Sequence, residues 1–294
     1  MQRTIQDKTP DTPWQSSLSD RDFRRLRRCI YNECGINLPD YKKTLVESRL
    51  HKRIRILKMS SLSDYCNYLF SSQGIKNELN NLIDAITTNK TDFFREPDQF
   101  DYLTREVLPE LISTKGAGMR KTLSLWSAGC SSGEEPYTIA MVLSDFSERL
   151  YGNCFDFRIL ATDISLTVLK QAKIGIYGHD HIAPVPMHMR SKYLLKGKKN
   201  RKDFVRIAPD IRKLVTFSRL NFMEEHFILS EPADIIFCRN VIIYFNRQTQ
   251  EQVLTRICSN LRPGGYMFLG HSETLNQLSV PLVPVIPTIF RKPV

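Results

Sequence analysis

The sequence predicts an α/β protein whose main domain contains a mostly parallel, doubly wound β-sheet, preceded by a small all-helical domain and interrupted by an inserted antiparallel β-subdomain. Three observations support this prediction. Apolar strand-like runs alternate with helical patterns from residue 123 onward. Helical periodicity with short turn signals fills residues 18–89, and short β-prone runs separated by turns fill residues 187–219. Alternating strands and helices are typical of parallel sheets, which bind ligands at the carboxyl ends of their strands.

The first strand of this sheet is followed by a loop of small residues. Residues 123–128 are an apolar run, and Gly129 and Gly133 stand at the two ends of the loop. Glycines let the backbone approach a ligand closely, and Pro136 suits the first turn of a helix, where its missing N–H would be unpaired anyway. The pattern predicts a strand, a nucleotide-binding turn and a helix, with a ligand over the helix N-terminus.

The second strand, residues 157–162, ends on Asp163. A carboxylate at this end of a strand can accept both hydroxyls of a ribose, so Asp163 is the predicted ribose acid. A helix N-cap is the alternative role for Asp163, and it is compatible with the first. Two more strands are predicted at 234–240 and 261–270, with a helix over 247–260 between them. An adenosine-type cofactor fits the crevice of such a sheet.

Changes of pattern divide the chain. Residues 1–17 are polar with two prolines and predict a disordered tail. We expect about four helices in residues 18–89, and the α/β domain in residues 90–294 with the β-subdomain at 187–219. The apolar runs are too short for a membrane span, and the N-terminus has no apolar signal segment, so we expect a cytoplasmic protein without membrane insertion.

The net charge of +11 is unevenly distributed. Residues 21–58 contain 12 Lys/Arg against 4 Asp/Glu, and residues 187–219 contain 11 against 2. These two basic patches indicate an acidic partner. In the second predicted helix the basic residues form a stripe, for which a solvated face is the alternative interpretation: Lys42, Arg49 and Arg53, with Lys52 beside them.

The seven cysteines include no Cys-x-x-Cys pair and no His/Cys cluster at metal-ligand spacing. Thiols in such a pattern are typical of reduced, mostly structural cysteines. The sequence therefore predicts no disulfide and no metal site.

Five motifs follow one another along the chain: TTNKTDFFRE at 87–96, SAGCSSGEEPY at 127–137, ATDI at 161–164, IFCRNVIIYF at 236–245 and GHSE at 270–273. Together they resemble the chemotaxis receptor methyltransferases of the CheR family, in order from about residue 18 to residue 290. The resemblance implies a Rossmann-like methyltransferase domain, a helical N-terminal domain and an inserted β-subdomain. It also implies methyl transfer from S-adenosylmethionine to the γ-carboxylates of glutamates on the cytoplasmic helices of chemoreceptors.

Carried over by position, the resemblance implies nine cofactor contacts: Asn89, Thr91, Arg95, Glu135, Asp163, Asn221, Phe222, Asn240 and Val241. A glutamate with a pKa near ~4.3 is already an anion at neutral pH, so alignment and exclusion of water should dominate catalysis.

We hypothesise that Arg95 and Tyr244 are catalytic residues on the methyl side, with Arg95 binding a carboxylate of the substrate or of the cofactor's methionine end. A surface ion pair for Arg95 and a core position for Tyr244 are the structural alternatives. A carboxylate nucleophile needs no general base, so we expect His271 to be structural or to line the site.

For partners, the resemblance implies that the basic face of Lys42, Arg49, Lys52 and Arg53 binds acidic receptor helices, and that the β-subdomain can dock a receptor C-terminal peptide. The lysine-rich loop at 197–202 departs from the glycine-rich loop expected there. This difference leaves open whether a receptor peptide docks on the β-subdomain. A nucleic-acid methyltransferase would suit the positive charge, but no Asn/Asp-Pro-Pro-Tyr motif follows the fourth strand, so we expect no nucleic-acid partner. A non-catalytic, cofactor-binding regulatory protein is the other alternative.

Overall fold

The structure is a computed structural model that describes residues 17–152, 154–225, 227 and 229–294. Contacts divide the chain into a helical unit of residues 17–32 and 38–86 and an α/β unit of residues 33–37 and 87–294. The predicted tail, residues 1–17, lies outside the described residues except for Ser17. In the described part of the chain, no helix has the length and apolar character needed to cross a membrane.

The helical unit is built from amphipathic helices, as the sequence predicts. Its described residues form α1 (Asp20–Cys34, of which 20–32 belong to this unit), α2 (Lys43–Leu57), α3 (Leu62–Leu69) and α4 (Ser72–Ile86), with a 3-10 turn at Asp40–Lys42. Val46, Leu50 and Ile54 are buried along one side of α2, which is the spacing of a helix with one apolar face. The Ser61 side chain caps α3 by accepting the N–H of Asp64 at 3.1 Å.

The basic stripe predicted on α2 is partly used inside the helical unit. Arg53 binds Glu78 of α4 through two hydrogen bonds, Nε to Oε1 at 2.7 Å and Nη2 to Oε2 at 2.8 Å. The Arg49 guanidinium donates to the carbonyl of Ile86, whereas Lys52 is exposed. The prediction of one open basic face is therefore wrong for Arg49 and Arg53, because α4 packs against this side of α2 and supplies oxygen acceptors.

The described residues of the α/β unit form seven further helices and ten strands. The helices are α5 (Pro97–Tyr102), α6 (Leu108–Lys115), α7 (Glu134–Tyr151), α8 (Leu166–Ile174), α9 (Met187–Tyr193), α10 (Pro209–Arg212) and α11 (Arg247–Ser259). The strands are β1 (Leu123–Ala128), β2 (Phe157–Asp163), β3 (Ile176–Gly178), β4 (Leu194–Lys196), β5 (Phe204–Ile207), β6 (Val215–Arg219), β7 (Ala233–Cys238), β8 (Leu261–Leu269), β9 (Val283–Ile286) and β10 (Ile289–Arg291). Short helical turns lie at Leu103–Val107, His179–Ile182, Lys199–Arg201 and Ile242–Tyr244.

Seven of these strands form one sheet in the order β6-β2-β1-β7-β8-β10-β9. Strands β6, β2, β1, β7 and β8 are parallel, and β10 and β9 add an antiparallel edge. All six residues of β1 are buried, as expected for a central strand covered on both faces. The predicted α/β class is confirmed. The carboxyl ends of the parallel strands meet at one edge, which we call the carboxyl edge, and the strand order reverses there between β1 and β7.

A three-stranded antiparallel sheet, in the order β3-β5-β4, forms the small sheet. The predicted antiparallel insertion is therefore present, but two of its boundaries are wrong. Strand β3 begins at Ile176, before the predicted start at residue 187. The run at 213–217 instead contributes to β6 of the main sheet, with Val215 beside Ile159. A short β-prone run looks alike in both sheets, because the pairing partner decides where it lies.

Candidate active site

The loop after β1, residues 129–133, is fixed to the end of β2, and we call it the glycine loop. The N–H groups of Gly129 and Cys130 donate to the carbonyl of Thr162 at 2.8 and 2.9 Å. The N–H of Ser131 donates to Oδ2 of Asp163 at 2.9 Å. These three bonds place the glycine loop against the carboxyl edge, directly before the first turn of α7.

Gly129 and Gly133 both have left-handed backbone conformations, with φ of +87° and +99°. A Cβ atom at Gly129 would lie 2.4 Å from Cγ2 of Val241, a distance that real contacts do not reach. Glycine is therefore required here for both conformation and space. The sequence predicts a close approach of backbone to ligand, and the structure adds a close approach between the ends of β1 and β7.

Asp163 ends β2, as predicted, and it is buried. Its Oδ2 accepts the Ser131 N–H and its Oδ1 accepts the Ser165 N–H, both at 2.9 Å. These two bonds fix the Asp163 carboxylate at the end of β2, beside the glycine loop. The alternative role as a helix N-cap is wrong, because Ser165 caps α8 by accepting the N–H of Val168.

The segment of residues 89–96, which precedes α5, is bonded to the glycine loop and to α7. The Ser131 hydroxyl donates to the carbonyl of Asn89 at 2.9 Å, and the N–H of Phe94 donates to the hydroxyl of Thr138 at 3.2 Å. The half-buried Arg95 donates from Nη1 to the carbonyl of Lys90 at 3.2 Å. Two sequence-predicted residues, Asn89 and Arg95, are thereby brought to the carboxyl edge.

Arg239 follows β7 and is the central cation of this edge, with a side chain that is only 2% exposed. Its Nε and Nη2 donate to Oε2 of Glu96 at 3.3 and 3.1 Å, and Nη2 also donates to the carbonyl of Arg95. Its Nη1 lies 3.5 Å from Oε2 of Glu135. Its guanidinium carbon lies 5.4 Å from the centre of the Phe100 ring. Arg239 therefore joins the 89–96 segment to the start of α7.

Glu135 lies in the first turn of α7, and its Oε1 accepts the hydroxyl of Ser127 at 2.7 Å. Burial raises the pKa of Glu135 above its ordinary value, while the charge of Arg239 and, more weakly, that of Arg95 oppose this rise. A buried carboxylate whose charge is incompletely compensated favours a positively charged group beside it. Glu135 is thus a suitable neighbour for a cationic ligand.

Glu273 holds the loop after β7. Its Oε2 accepts the N–H groups of Asn240 and Gly270 at 2.8 and 2.7 Å, and its Oε1 accepts those of Val241 and Ile242 at 2.8 and 2.9 Å. Burial raises the pKa of Glu273, and the four backbone N–H donors act in the opposite direction. One carboxylate therefore sets the backbone position of the two predicted cofactor residues in this loop.

Asn221 and Phe222 follow Leu220, whose N–H donates to the carbonyl of Asp163 at 3.0 Å. The Asn221 side chain donates to the carbonyl of Glu33, also in the α/β unit, at 2.6 Å. Phe222 packs against the hydrophobic core on one face of the main sheet. Both residues therefore lie near the end of β2, with the Asn221 amide bonded inside the protein.

Three residues named in the sequence analysis remain to be located: Thr91, Tyr244 and His271. Thr91 is half-buried within the 89–96 segment. Tyr244 is half-buried in the turn after Val241. Nε2 of His271 lies 3.2 Å from Oδ2 of Asp98, and half of its side chain is exposed. Asp98 therefore orients His271.

Three residues complete the site although the sequence analysis gave them no role: Arg239, Glu96 and Glu273. A signal was present for Arg239, because a charge directly after a buried strand costs free energy unless partners compensate it. Its partner Glu96 is 143 residues away in the chain, and Glu273 is 33 residues from Asn240. Pairings over such separations cannot be inferred from local pattern.

These features fit a nucleoside that carries positive charge. Asp163 places a carboxylate at the strand end where ribose hydroxyls bind, Glu135 provides negative charge, and the glycine loop leaves the backbone accessible. Arg95 could bind a carboxylate at the same edge. Within the ranges that the structure describes, no group of three or more His, Cys, Asp or Glu side chains is arranged to hold a metal ion.

Known proteins are similar in sequence to this chain over most of its length. Residues 21–87 match the family model "CheR methyltransferase, all-alpha domain", and residues 89–284 match "CheR methyltransferase, SAM binding domain". The chain is 40% identical over 276 residues to the chemotaxis protein methyltransferase of Borreliella burgdorferi, covering 94% of this chain and 95% of that protein. It is 38% identical over 262 residues to that of Klebsiella aerogenes (89% and 86%) and 36% identical over 262 residues to that of Escherichia coli (89% and 87%).

Proposed function

Because the chain belongs to the CheR methyltransferase family, we propose that it transfers methyl groups from S-adenosylmethionine to glutamate γ-carboxylates of chemoreceptors, forming methyl esters in chemotactic adaptation. The observation that supports this proposal most strongly is the meeting of Asp163, Glu135 and the 240–241 loop beside the glycine loop. The proposal places the reaction in the cytoplasm, since the target glutamates of the resembled family lie on cytoplasmic receptor helices.

When bound, S-adenosylmethionine supplies an electrophilic methyl group on a sulfonium leaving group. We propose that the nine residues inferred from the sequence hold it. Asp163, fixed at the end of β2 by its two backbone bonds, would accept the ribose hydroxyls. Glu135 would compensate positive charge, and the backbone of Asn240 and Val241, fixed by Glu273, would form one wall. The other five are Asn89, Thr91, Arg95, Asn221 and Phe222.

Arg95 and Tyr244 are the residues that we propose align the reacting carboxylate. A guanidinium has about five N–H donors, and the bond from Arg95 to the carbonyl of Lys90 uses one of them. The remaining donors suit a carboxylate, which Arg95 would orient through charge-assisted bonds. Tyr244 follows Val241 in the next turn and would restrict access of water on that side.

Alignment is sufficient for this chemistry. A glutamate side chain with a pKa near ~4.3 is ionised at neutral pH, so no base has to remove a proton. Holding the nucleophile in line and excluding water are then the contributions that the protein makes.

For the receptor, we propose that Lys52, which is exposed on α2, and Lys42, which is half-buried in the turn before α2, meet acidic receptor helices. Arg49 and Arg53 of the predicted face are bonded within the helical unit and are left out of this contact. A receptor C-terminal peptide docking on the small sheet is a further part of the proposal, supported by the 11 Lys/Arg against 2 Asp/Glu in residues 187–219.

The test measures transfer of labelled methyl from S-adenosylmethionine to purified receptor cytoplasmic fragments, with DNA and RNA as parallel acceptors. We expect alkali-labile label on the receptor fragment, and none on a fragment whose acceptor glutamates are changed to alanine. Arg95→Ala should lower kcat/KM about 100-fold, while Arg105→Ala, an exposed arginine of the same unit, should stay within about twofold. Cofactor binding without transfer would instead favour a regulatory protein, and label on nucleic acid would overturn the proposal.

A further inference from the structure

Tyr177 connects the small sheet to two parts of the proposed cofactor site. It is the middle residue of β3 and lies opposite Val205 of β5. Its hydroxyl donates to the carbonyl of Ser132, in the glycine loop, at 2.7 Å. Its ring meets the ring of Phe93, in the 89–96 segment, edge-on with centroids 4.9 Å apart. A single side chain therefore contacts the small sheet, the glycine loop and the 89–96 segment.

The space around the hydroxyl shows that the glycine loop is shaped to this contact. A Cβ atom at Gly133 would lie 2.9 Å from the Tyr177 oxygen and 2.9 Å from Cβ of Ala172, closer than real contacts. The side chain of Tyr177 thus occupies the space beside Gly133. Burial raises the pKa of the Tyr177 hydroxyl, so it remains a proton donor throughout the neutral range.

The bond to Ser132 holds a part of the glycine loop that the main sheet does not hold. Strand β2 binds the N–H groups of residues 129–131, as described above. At Ser132, the hydroxyl instead donates to Glu134 of α7 at 2.7 and 3.0 Å, and the carbonyl accepts only the Tyr177 hydroxyl among the described residues. A displacement of β3 would therefore move the glycine loop, because the Tyr177 hydroxyl is bonded to this carbonyl.

We propose that Tyr177 is a positioning residue through which the small sheet keeps the glycine loop in its cofactor-binding shape. The proposal rests on the proposed function, because it takes the loop to bind S-adenosylmethionine. Its consequence is that cofactor affinity depends on the small sheet, although that sheet contributes none of the nine proposed contacts. Loss of one such hydrogen bond should weaken cofactor binding about fivefold.

The test compares Tyr177→Phe with Tyr193→Phe in the full-length protein. Tyr193 ends α9 beside the small sheet, and its buried hydroxyl has no hydrogen-bond partner among the described residues. Calorimetry with S-adenosylhomocysteine should give a Kd about fivefold higher for Tyr177→Phe and unchanged for Tyr193→Phe. The kcat at saturating cofactor and the receptor KM should change less than about twofold in both. Equal Kd values for the two variants would overturn the proposal.

A double-variant cycle with Val205→Ala tests the path through Tyr177. Val205 is a buried residue of β5 that pairs with Tyr177 in the small sheet, so its truncation should raise the cofactor Kd about threefold. In a Tyr177→Phe background the same truncation should change Kd less, because the hydrogen bond from residue 177 to Ser132 is already absent. Full multiplication of the two effects would overturn the proposal. Failure of the unaltered protein to bind S-adenosylhomocysteine would overturn the proposed function as well, which distinguishes the two failures.

Discussion

Arg53 on helix α2 and Arg239 after strand β7 both bind carboxylates in places with little solvent, but they join different kinds of structure. Arg53 is 17% exposed and pairs with Glu78, a side chain that is 3% exposed on the neighbouring helix α4. Arg239 is 2% exposed and binds Glu96, Glu135 and the carbonyl of Arg95. The first pair connects two regular helices, whereas the second set connects a loop, a helix start and a strand end.

The difference decides what each arginine does for the protein. Helices α2 and α4 have their own backbone hydrogen bonds, so they keep their shape without Arg53 and the pair contributes mainly to stability. The 89–96 segment has no such repeating pattern, and Arg239 holds its last two residues through the carbonyl of Arg95 and the carboxylate of Glu96. We therefore expect changes at Arg239 to appear in activity, and changes at Arg53 to appear in unfolding.

The largest effect on activity is expected for Arg239→Lys. A lysine keeps the positive charge, but a single ammonium cannot bind Glu96, Glu135 and the carbonyl of Arg95 together. The 89–96 segment should shift, and kcat/KM for methyl transfer should fall about 100-fold, equivalent to about 2.7 kcal/mol. Steady-state assays of methyl transfer measure this.

Arg53→Lys is the matched control, since it makes the same chemical change at a buried pair in the helical unit. Its kcat/KM should stay within about twofold of the unaltered protein. If Arg239→Lys also stayed in that range, Arg239 would not be positioning the 89–96 segment, and the contrast between the two arginines would disappear.

The next effect in size is expected for Glu273→Gln. A glutamine side chain has one oxygen acceptor, and its NH2 group would face N–H donors that the carboxylate now binds. The loop at 240–242 should move, and the Kd for S-adenosylhomocysteine should rise about 30-fold, or about 2 kcal/mol. Calorimetry gives this value directly.

Glu251→Gln provides the comparison for Glu273, because among the described residues the Glu251 carboxylate accepts one exposed N–H, that of Ser279 at 3.1 Å. We expect its cofactor Kd to be unchanged. A similar loss of affinity in both variants would show that the removal of negative charge, rather than the four backbone bonds, is responsible.

Local pattern accounts for the main elements and for Asp163, but not for which charges become buried. The strands before Gly129 and Asp163 can be predicted because burial and period are local properties. The run at 213–217 could not be assigned to its sheet, since its partner β2 lies more than 50 residues earlier in the chain. The partners of Arg53 and Arg239 could not be predicted for the same reason. The sequence shows each positive charge, but the carboxylate that binds it lies on a helix or loop distant in the chain.

A smaller effect is expected when the exposed part of the basic stripe is altered. Lys52→Glu should raise the KM for the receptor fragment about threefold at low ionic strength, and salt should reduce the difference because exposed charges are screened. The cofactor KM should not change. Lys170→Glu, an exposed lysine of α8, carries the same charge change. An equal rise in receptor KM there would indicate a general effect of net charge and contradict a contact at α2.

The smallest effect on activity is expected for Arg53→Met, and it completes the comparison with Arg239. The kcat/KM should stay within about twofold, while the free energy of unfolding should fall by about 3 kcal/mol, because Glu78 remains buried without its cation. Urea denaturation measures the second quantity. Arg53→Met combined with Glu78→Leu should restore much of the lost stability, since an apolar pair then replaces a broken ion pair. If Arg53 instead contacted the receptor, Arg53→Met would raise the receptor KM as Lys52→Glu does and leave unfolding unchanged.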